Sequence, residues 1–320
     1  MISDLNFPKL QARLSANESF SSSTEKRQKE IVEGLLSKEY MDLTCDWAIK
    51  YILNDDDILI MLLEDMLPLQ RVDSVKRLPN ELTHPLPDDK NIIFDVVCET
   101  SSGRMVVEMQ RAKKTGFKNR MVYYGASLIQ SELKKKSSYA SLMPVYVICF
   151  MDFGFKGDKR IISKYALTEQ ETHQLYGDQL WIYLCNLKAL KKNNFHDMNP
   201  QEKWLYMLKN MSTFAGKPEE WGERYGKVAE AARMPRLSAD EKLEYVVAML
   251  SEKEKMEIRE AYYQDGFDDG VEKGIKKGIE QGIEKERLKN ARNLLSLGVK
   301  EEIVVQATGL TMEEVLALRK

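Results

Sequence analysis

Three residues carry the chemistry this sequence offers most plainly. Asp95 lies in Ile-Ile-Phe-Asp-Val-Val, and Glu108 and Gln110 lie in Val-Val-Glu-Met-Gln. Both segments are aliphatic and β-branched, so they read as strands, whose side chains alternate between faces. Glu108 and Gln110 therefore share a face. Ser101-Ser102-Gly103 turns one segment into the other, and the loop length decides where Asp95 points. A two-residue loop pairs Thr100 with Gly103 and sets Asp95 opposite Glu108, with Cβ atoms roughly 4.5 to 5.5 Å apart. A four-residue loop sets Asp95 opposite Gln110, with all three on one face, whereas a three-residue loop separates them. Carboxylates facing each other among apolar side chains repel and resist burial, and a divalent cation relieves both costs. Mg²⁺ suits such a pair, being held by one or two carboxylates, waters and phosphate oxygens. Mn²⁺ and Ca²⁺ are the alternatives. The bland reading is a solvent-facing strand with acids opposed by chance.

The chain has 320 residues, with 48 Lys or Arg against 50 Asp or Glu, a net charge of −2 that excludes a globally basic nucleic-acid binder. Basic residues must then be gathered locally, and they are. Eight of them (Arg111, Lys113, Lys114, Lys118, Arg120, Lys134, Lys135, Lys136) stand against one acid, Glu132, between residues 111 and 136. Arg111, Lys113, Lys118, Arg120, Tyr123 and Tyr124 place cations and aromatic faces just after the acidic strand, which suits a phosphate backbone. The three histidines, His84, His173 and His196, are too scattered for a histidine-based metal centre, and the four cysteines form no CxxC pair and read as small buried hydrophobes.

The elements that must position these residues follow from periodicity. Residues 1–38 are polar and read as a loosely attached extension with one helix. Two short helices are expected on either side of the acidic turn at Asn54–Asp57, then strands at Val72–Leu78, Ile92–Glu99 and Met105–Gln110. Phe117, Met121, Tyr124 and Leu128 recur at spacings of 4, 3 and 4, the stripe of a helix reaching about Lys135. Pro144–Phe153 reads as a buried strand, since its apolar run is too short to cross a bilayer. Trp181–Leu187 is apolar and Glu202–Phe214 helical. The expected class is α/β, a mixed sheet flanked by helices with an all-helical C-terminal arm. The expected parts are the extension to 38, a main domain over 39–236, a charged arm over 237–287 and a helical hairpin over 288–320. No basic, apolar leader is visible at the start, so the expected location is cytoplasmic, with no membrane association.

At these residues the sequence resembles the PD-(D/E)XK nuclease superfamily, closest to its recombination-promoting nuclease or putative transposase branch. The resemblance runs through Met41-Asp-Leu-Thr-Cys-Asp46-Trp-Ala-Ile-Lys50, Pro79-Asn80-Glu81, Asp89-Lys90-Asn-Ile-Ile-Phe-Asp95-Val, Val107-Glu108-Met109-Gln110-Arg111, Phe117-Lys-Asn-Arg120, Tyr123-Tyr124 and Pro144-Val-Tyr-Val-Ile. It implies a restriction-endonuclease-like fold and a Mg²⁺-dependent DNA endonuclease. It also implies that Asp95 and Glu108 bind metal, with Asp46 completing or supporting the site. Gln110 stands where the superfamily has lysine; it can orient water but brings no positive charge. Lys50 or Lys113 could replace that charge.

Gly266, Gly270, Gly274, Gly278 and Gly282 recur every four residues, each followed by Phe267, Val271, Ile275, Ile279 or Ile283. Interior glycines cost about 1 kcal/mol each relative to alanine, a cost that close contact with another helix would offset. The intervening charges exclude a membrane role; the favoured reading is self-association or partner docking through residues 262–287, with a solvated linker as the alternative. Beyond it, Gly298 and Gly309 end helices and Thr311-x-x-Glu314 opens the last with a capping box. The alternative to an enzyme is a catalytically weak DNA-binding or regulatory protein that oligomerises through this arm.

Overall fold

The hairpin predicted from Ser101-Ser102 forms with the two-residue loop: Thr100 pairs with Gly103, and Val96 with Val107. A computed structural model describes residues 5–68, 72–82, 91–132, 138–216 and 221–318, without the side chains of 254–273, 276 and 280. Asp89, Lys90, His84 and Lys134–Lys136 lie outside the described residues. In chain order the elements are α1 (Phe7–Arg13), α2 (Glu18–Ser21), α3 (Glu25–Leu36), α4 (Asp46–Ile52), α5 (Asp56–Met66), β1 (Lys76–Arg77), β2 (Glu81–Leu82), β3 (Ile92–Ile93), β4 (Val96–Thr100), β5 (Gly103–Gln110) and α6 (Phe117–Glu132). There follow β6 (Val145–Met151), β7 (Ile162–Ala166), β8 (Leu180–Asn186), α7 (Pro200–Asn210), α8 (Gly222–Ala231), α9 (Ala239–Ser296), α10 (Glu301–Thr308) and α11 (Met312–Ala317).

Six strands form one mixed sheet in the order β1-β4-β5-β6-β8-β7, and β2 and β3 form a separate pair. β5, β6 and β8 run parallel, with β4 and β7 antiparallel to their neighbours. A parallel pair needs a crossover, and α6 supplies it between β5 and β6. The sheet divides two cores by strand alternation. Val107, Met109, Ile148 and Phe150 face one, with α4, α5, α7 and α8; Val106, Val147 and Cys149 face the other, with Phe117, Met121 and Leu128 of α6. This is the mixed α/β, restriction-endonuclease-like class expected from the sequence, with a helical C-terminal region.

Four expectations change. The expected loose extension over 1–38 is not borne out for its described part: three helices form within 5–38, and Leu5, Leu10, Leu14, Phe20 and Val32 are buried in the main core. Their apolar residues are spaced for a buried stripe that a high average polarity conceals. The strand expected over Ile92–Glu99 breaks at Phe94-Asp95, where the chain leaves its pairing with β2 and joins β5. The strand expected over Val72–Leu78 shortens to Lys76–Arg77. An edge strand at Ile162–Ala166 completes the sheet, its pattern too mixed for periodicity to single out.

The chain divides into compact units at Met1–Glu254 and Lys255–Lys320. The first unit thus includes the beginning of α9, beyond the boundary at 236 expected from composition. In the second, Ala291, Val304, Leu310 and Val315 form a small core, Gly309 ends α10 in the left-handed region at φ 68°, and the Thr311–Glu314 capping box opens α11. No helix among the described residues is long and apolar enough to cross a membrane.

Candidate metal centre

β5 brings Glu108 out on the same face as Val106, and the bend at Asp95 before β4 sets Asp95 beside it. The two residues are interlocked through the backbone. The Asp95 N–H donates to Glu108 Oε1 (3.1 Å), and the Met109 N–H donates to Asp95 Oδ2 (2.8 Å). Glu108 is 2% exposed and Asp95 12%. Burial, and then the nearby charge of Asp46, push the Asp95 carboxyl above its ordinary range. Burial, and then the charge of Asp95, do the same to Glu108. Acids held this way favour either a proton or a cation between them.

α4 supplies the nearest positive charge. Asp46 and Lys50 are one helical turn apart, and Lys50 Nζ reaches Asp46 Oδ2 at 2.8 Å and Asp95 Oδ1 at 3.0 Å. Burial lowers the affinity of this amine for its proton, but Asp95 and Asp46 more than offset that and hold it firmly charged. Lys113 lies instead over the Phe155 ring, 5.1 Å from its centroid. Of the two lysines expected to replace the missing charge, the structure brings Lys50 to the acids. Gln110 Nε2 donates to Glu108 Oε2 at 3.3 Å.

α6 borders the pair on its other side. Arg120 lies 3.8 Å from Glu108 Oε2, its guanidinium 5.3 Å from the Tyr124 ring, which packs edge-on against Phe94. Lys118 lies over Phe155 and Tyr165 at 4.8 and 5.7 Å, and Tyr123 is exposed on the helix. Arg111 departs from the expected phosphate contact. Its guanidinium pairs with Asp42 (3.2 Å) and Glu252 (3.1 Å), because β5 ends where the loop before α4 and the start of α9 meet.

Asp95 opens onto a cleft of about 350 Å³ lined by Trp47, Lys50, Asn54, Arg77 and Asn80. A more apolar cleft of about 490 Å³, lined by Val122, Ile129, Tyr165 and Leu180, holds no acid, lysine, arginine or histidine. Among the described residues no three His, Cys, Asp or Glu side chains converge at ligand spacing. Asp46 shares Lys50 with Asp95 and lies close enough for its charge to act on the Asp95 carboxyl. The donor set still fits a hard cation: two adjacent carboxylates suffice for Mg²⁺ when waters and phosphate fill the remaining positions, and the Asp46 Oδ1 atom is buried with no hydrogen-bond partner among the described residues.

Two contributors escape a reading of the sequence. Asn80 Nδ2 donates to the Asp95 carbonyl (3.1 Å), and Glu252 accepts from the Asp46 N–H (3.0 Å) across more than 200 residues. Asn80 belonged to a recognisable segment, but Glu252 is one acid in a helix of mixed charge, and no local signal marks it.

Comparison with known proteins gives one match. The family model described as PD-(D/E)XK nuclease family transposase covers residues 43–265, which include the carboxylate pair, α4, α6 and the start of α9. No curated protein and no solved structure matches the chain significantly.

Proposed function

The chain belongs to the PD-(D/E)XK nuclease family transposases, and from that premise we propose that it is a divalent-metal-dependent DNA endonuclease hydrolysing phosphodiester bonds. The observation that carries the proposal is the interlocked pair of Asp95 and Glu108, two acids buried side by side with cationic groups on both flanks. Such an arrangement is costly as a structural ornament and useful as a metal site.

Asp95 and Glu108 would hold Mg²⁺, or Mn²⁺ or Ca²⁺ in its place. When bound, the metal supplies an acidified water and neutralises developing phosphoryl charge. The remaining work falls to the chain. Gln110, tied to Glu108 by its amide nitrogen, keeps a carbonyl oxygen able to accept from the attacking water. Lys50 offers its ammonium on the Asp95 side and can stabilise charge on the phosphate. Arg120, backed by the Tyr124 ring, presents the second cation, and Lys113 and Lys118 extend the positive surface over Phe155. Arg111 is better read as part of the scaffold.

A single assay tests this reading. Purified protein should nick plasmid DNA with Mg²⁺ or Mn²⁺, and Asp95→Ala should reduce nicking to background with unchanged circular dichroism. Equal cutting by that variant would sink the assignment. A second reading, a catalytically weak DNA-binding protein, is favoured by one observation: Lys50 already bridges Asp46 and Asp95 and relieves part of their repulsion without a metal. It expects a gel shift with no cleavage under Mg²⁺, Mn²⁺ or Ca²⁺. Residues 262–287 would serve self-association in either case. Ile275, Ile279 and Ile283 are 59, 58 and 51% exposed, and the added methyl of alanine at Gly274, Gly278 or Gly282 would meet open space.

A further inference from the structure

α4 has seven residues, and its N-cap, Cys45, makes no side-chain capping bond. A helix this short depends on tertiary support, and its first amides need acceptors. The acceptor comes from α9. Glu252 Oε1 accepts from the Asp46 N–H at 3.0 Å, with Cys45 Sγ at 3.7 Å, which places a carboxylate at the positive end of the helix. The other oxygen of Glu252 accepts from Arg111 at 3.1 Å. Arg111 also reaches Asp42, whose second oxygen accepts from the Thr44 N–H (3.0 Å) and hydroxyl (2.7 Å). The Asp42 N–H in turn donates to the hydroxyl of Tyr245, one more residue of α9.

We propose that Glu252, held by Arg111, is a positioning residue of the catalytic centre: from α9 it caps α4 and so fixes Asp46 and Lys50 against Asp95. Arg111 directly follows Gln110 on β5. One ion-paired relay therefore fastens both the strand end that carries Glu108 and Gln110 and the helix start that carries Asp46 and Lys50. Lys50 is one turn beyond the capped amide, so a frayed first turn displaces its ammonium from Asp95. All three members of the relay are about one-fifth exposed, so losing one leaves an uncompensated, partly desolvated charge. The kinetic consequence rests on the nuclease reading above, but the structural consequence does not.

The test combines hydrogen exchange with steady-state nicking for Glu252→Ala and Glu252→Gln. In Glu252→Ala, amides of residues 46–52 should exchange about 5- to 10-fold faster, as expected for a lost cap, while those of β6 keep their protection. The kcat for Mg²⁺-dependent nicking should fall about 10- to 100-fold, the range typical of groups that orient ligands, with KM for DNA within about twofold. Glu252→Gln keeps one acceptor oxygen for the Asp46 N–H but loses the acceptance from Arg111, so it should recover part of both. Unchanged exchange at residues 46–52 overturns the proposal, as does acceleration spread equally into β6 in both variants, or a loss confined to KM. If the wild-type protein cuts no DNA, the nuclease reading fails, and the exchange data still decide the role of Glu252.

Discussion

The carboxylate centre and the glycine-periodic stretch of α9 are the two patterns that stand out in the sequence, and the fold treats them oppositely. Around Asp95 and Glu108 nearly every charge is answered by a partner distant in sequence: Lys50, Arg120, and, through Asp46, Glu252. Between Gly274 and Ile283 the isoleucines stand in the open, and a Cβ added at Gly274, Gly278 or Gly282 would meet nothing. Buried charge must be matched within the fold because desolvation leaves no other way to stabilise it. Exposed isoleucine at a fixed period is the feature on which the proposed self-association of the arm rests.

The largest effect that would break this contrast is expected at the centre. Lys50→Met should lower nicking about 100-fold, as for loss of a group that stabilises transition-state charge. It should also move the acidic limb of the pH–rate profile to higher pH, because removing the ammonium lets the Asp95 pKa rise further. An unshifted profile would mean that Lys50 does not act on Asp95. Next, deletion of residues 262–320 should reduce the solution mass measured by light scattering to that of one chain; if the full-length protein is already monomeric, the arm docks a different partner or none.

The pH dependence of stability comes third. Asp95 and Glu108 have raised pKa values when folded, so above the ordinary carboxylate range, from about pH 4, the folded state holds protons that the unfolded state has released. Metal-free stability should then fall as pH rises toward neutrality and flatten above the folded pKa values. In thermal melts, Glu108→Gln should flatten this slope, and Mg²⁺ should raise Tm most at the alkaline end. A smaller effect divides the readings of the arm. Gly278→Ala should stabilise a solvated helix by about 1 kcal/mol, whereas in a helix packed against a partner it should weaken association. Smallest of all, Lys113→Ala should leave kcat unchanged and reduce the salt slope of DNA binding by about one.

The legibility of the molecule follows the range of the forces involved. Alternation and the Ser101-Ser102 turn made the hairpin readable, because both depend on neighbours along one chain segment, whereas the loop length, and with it the opposition of Asp95 and Glu108, was fixed only in the fold. The stripe from Phe117 to Leu128 showed its helix for the same reason. The N-terminal helices were hidden because charge and serine content obscured the few apolar positions that dock into the core. Arg111 was misplaced because a basic residue beside an acidic strand looks identical whether it faces solvent or an internal acid.

By itself, then, the sequence determined the central hairpin and the buried strand after it, the two acids, the local gathering of cations and the capped helices of the C-terminal hairpin, all products of short-range pattern. Only the tertiary structure decided which cation meets which acid. It chose Lys50 over Lys113, withdrew Arg111 into a relay with Asp42 and Glu252, and joined Asp46 to Asp95 through Lys50. Such choices turn on burial, where a charge must find its partner across any length of chain, and no local pattern records them.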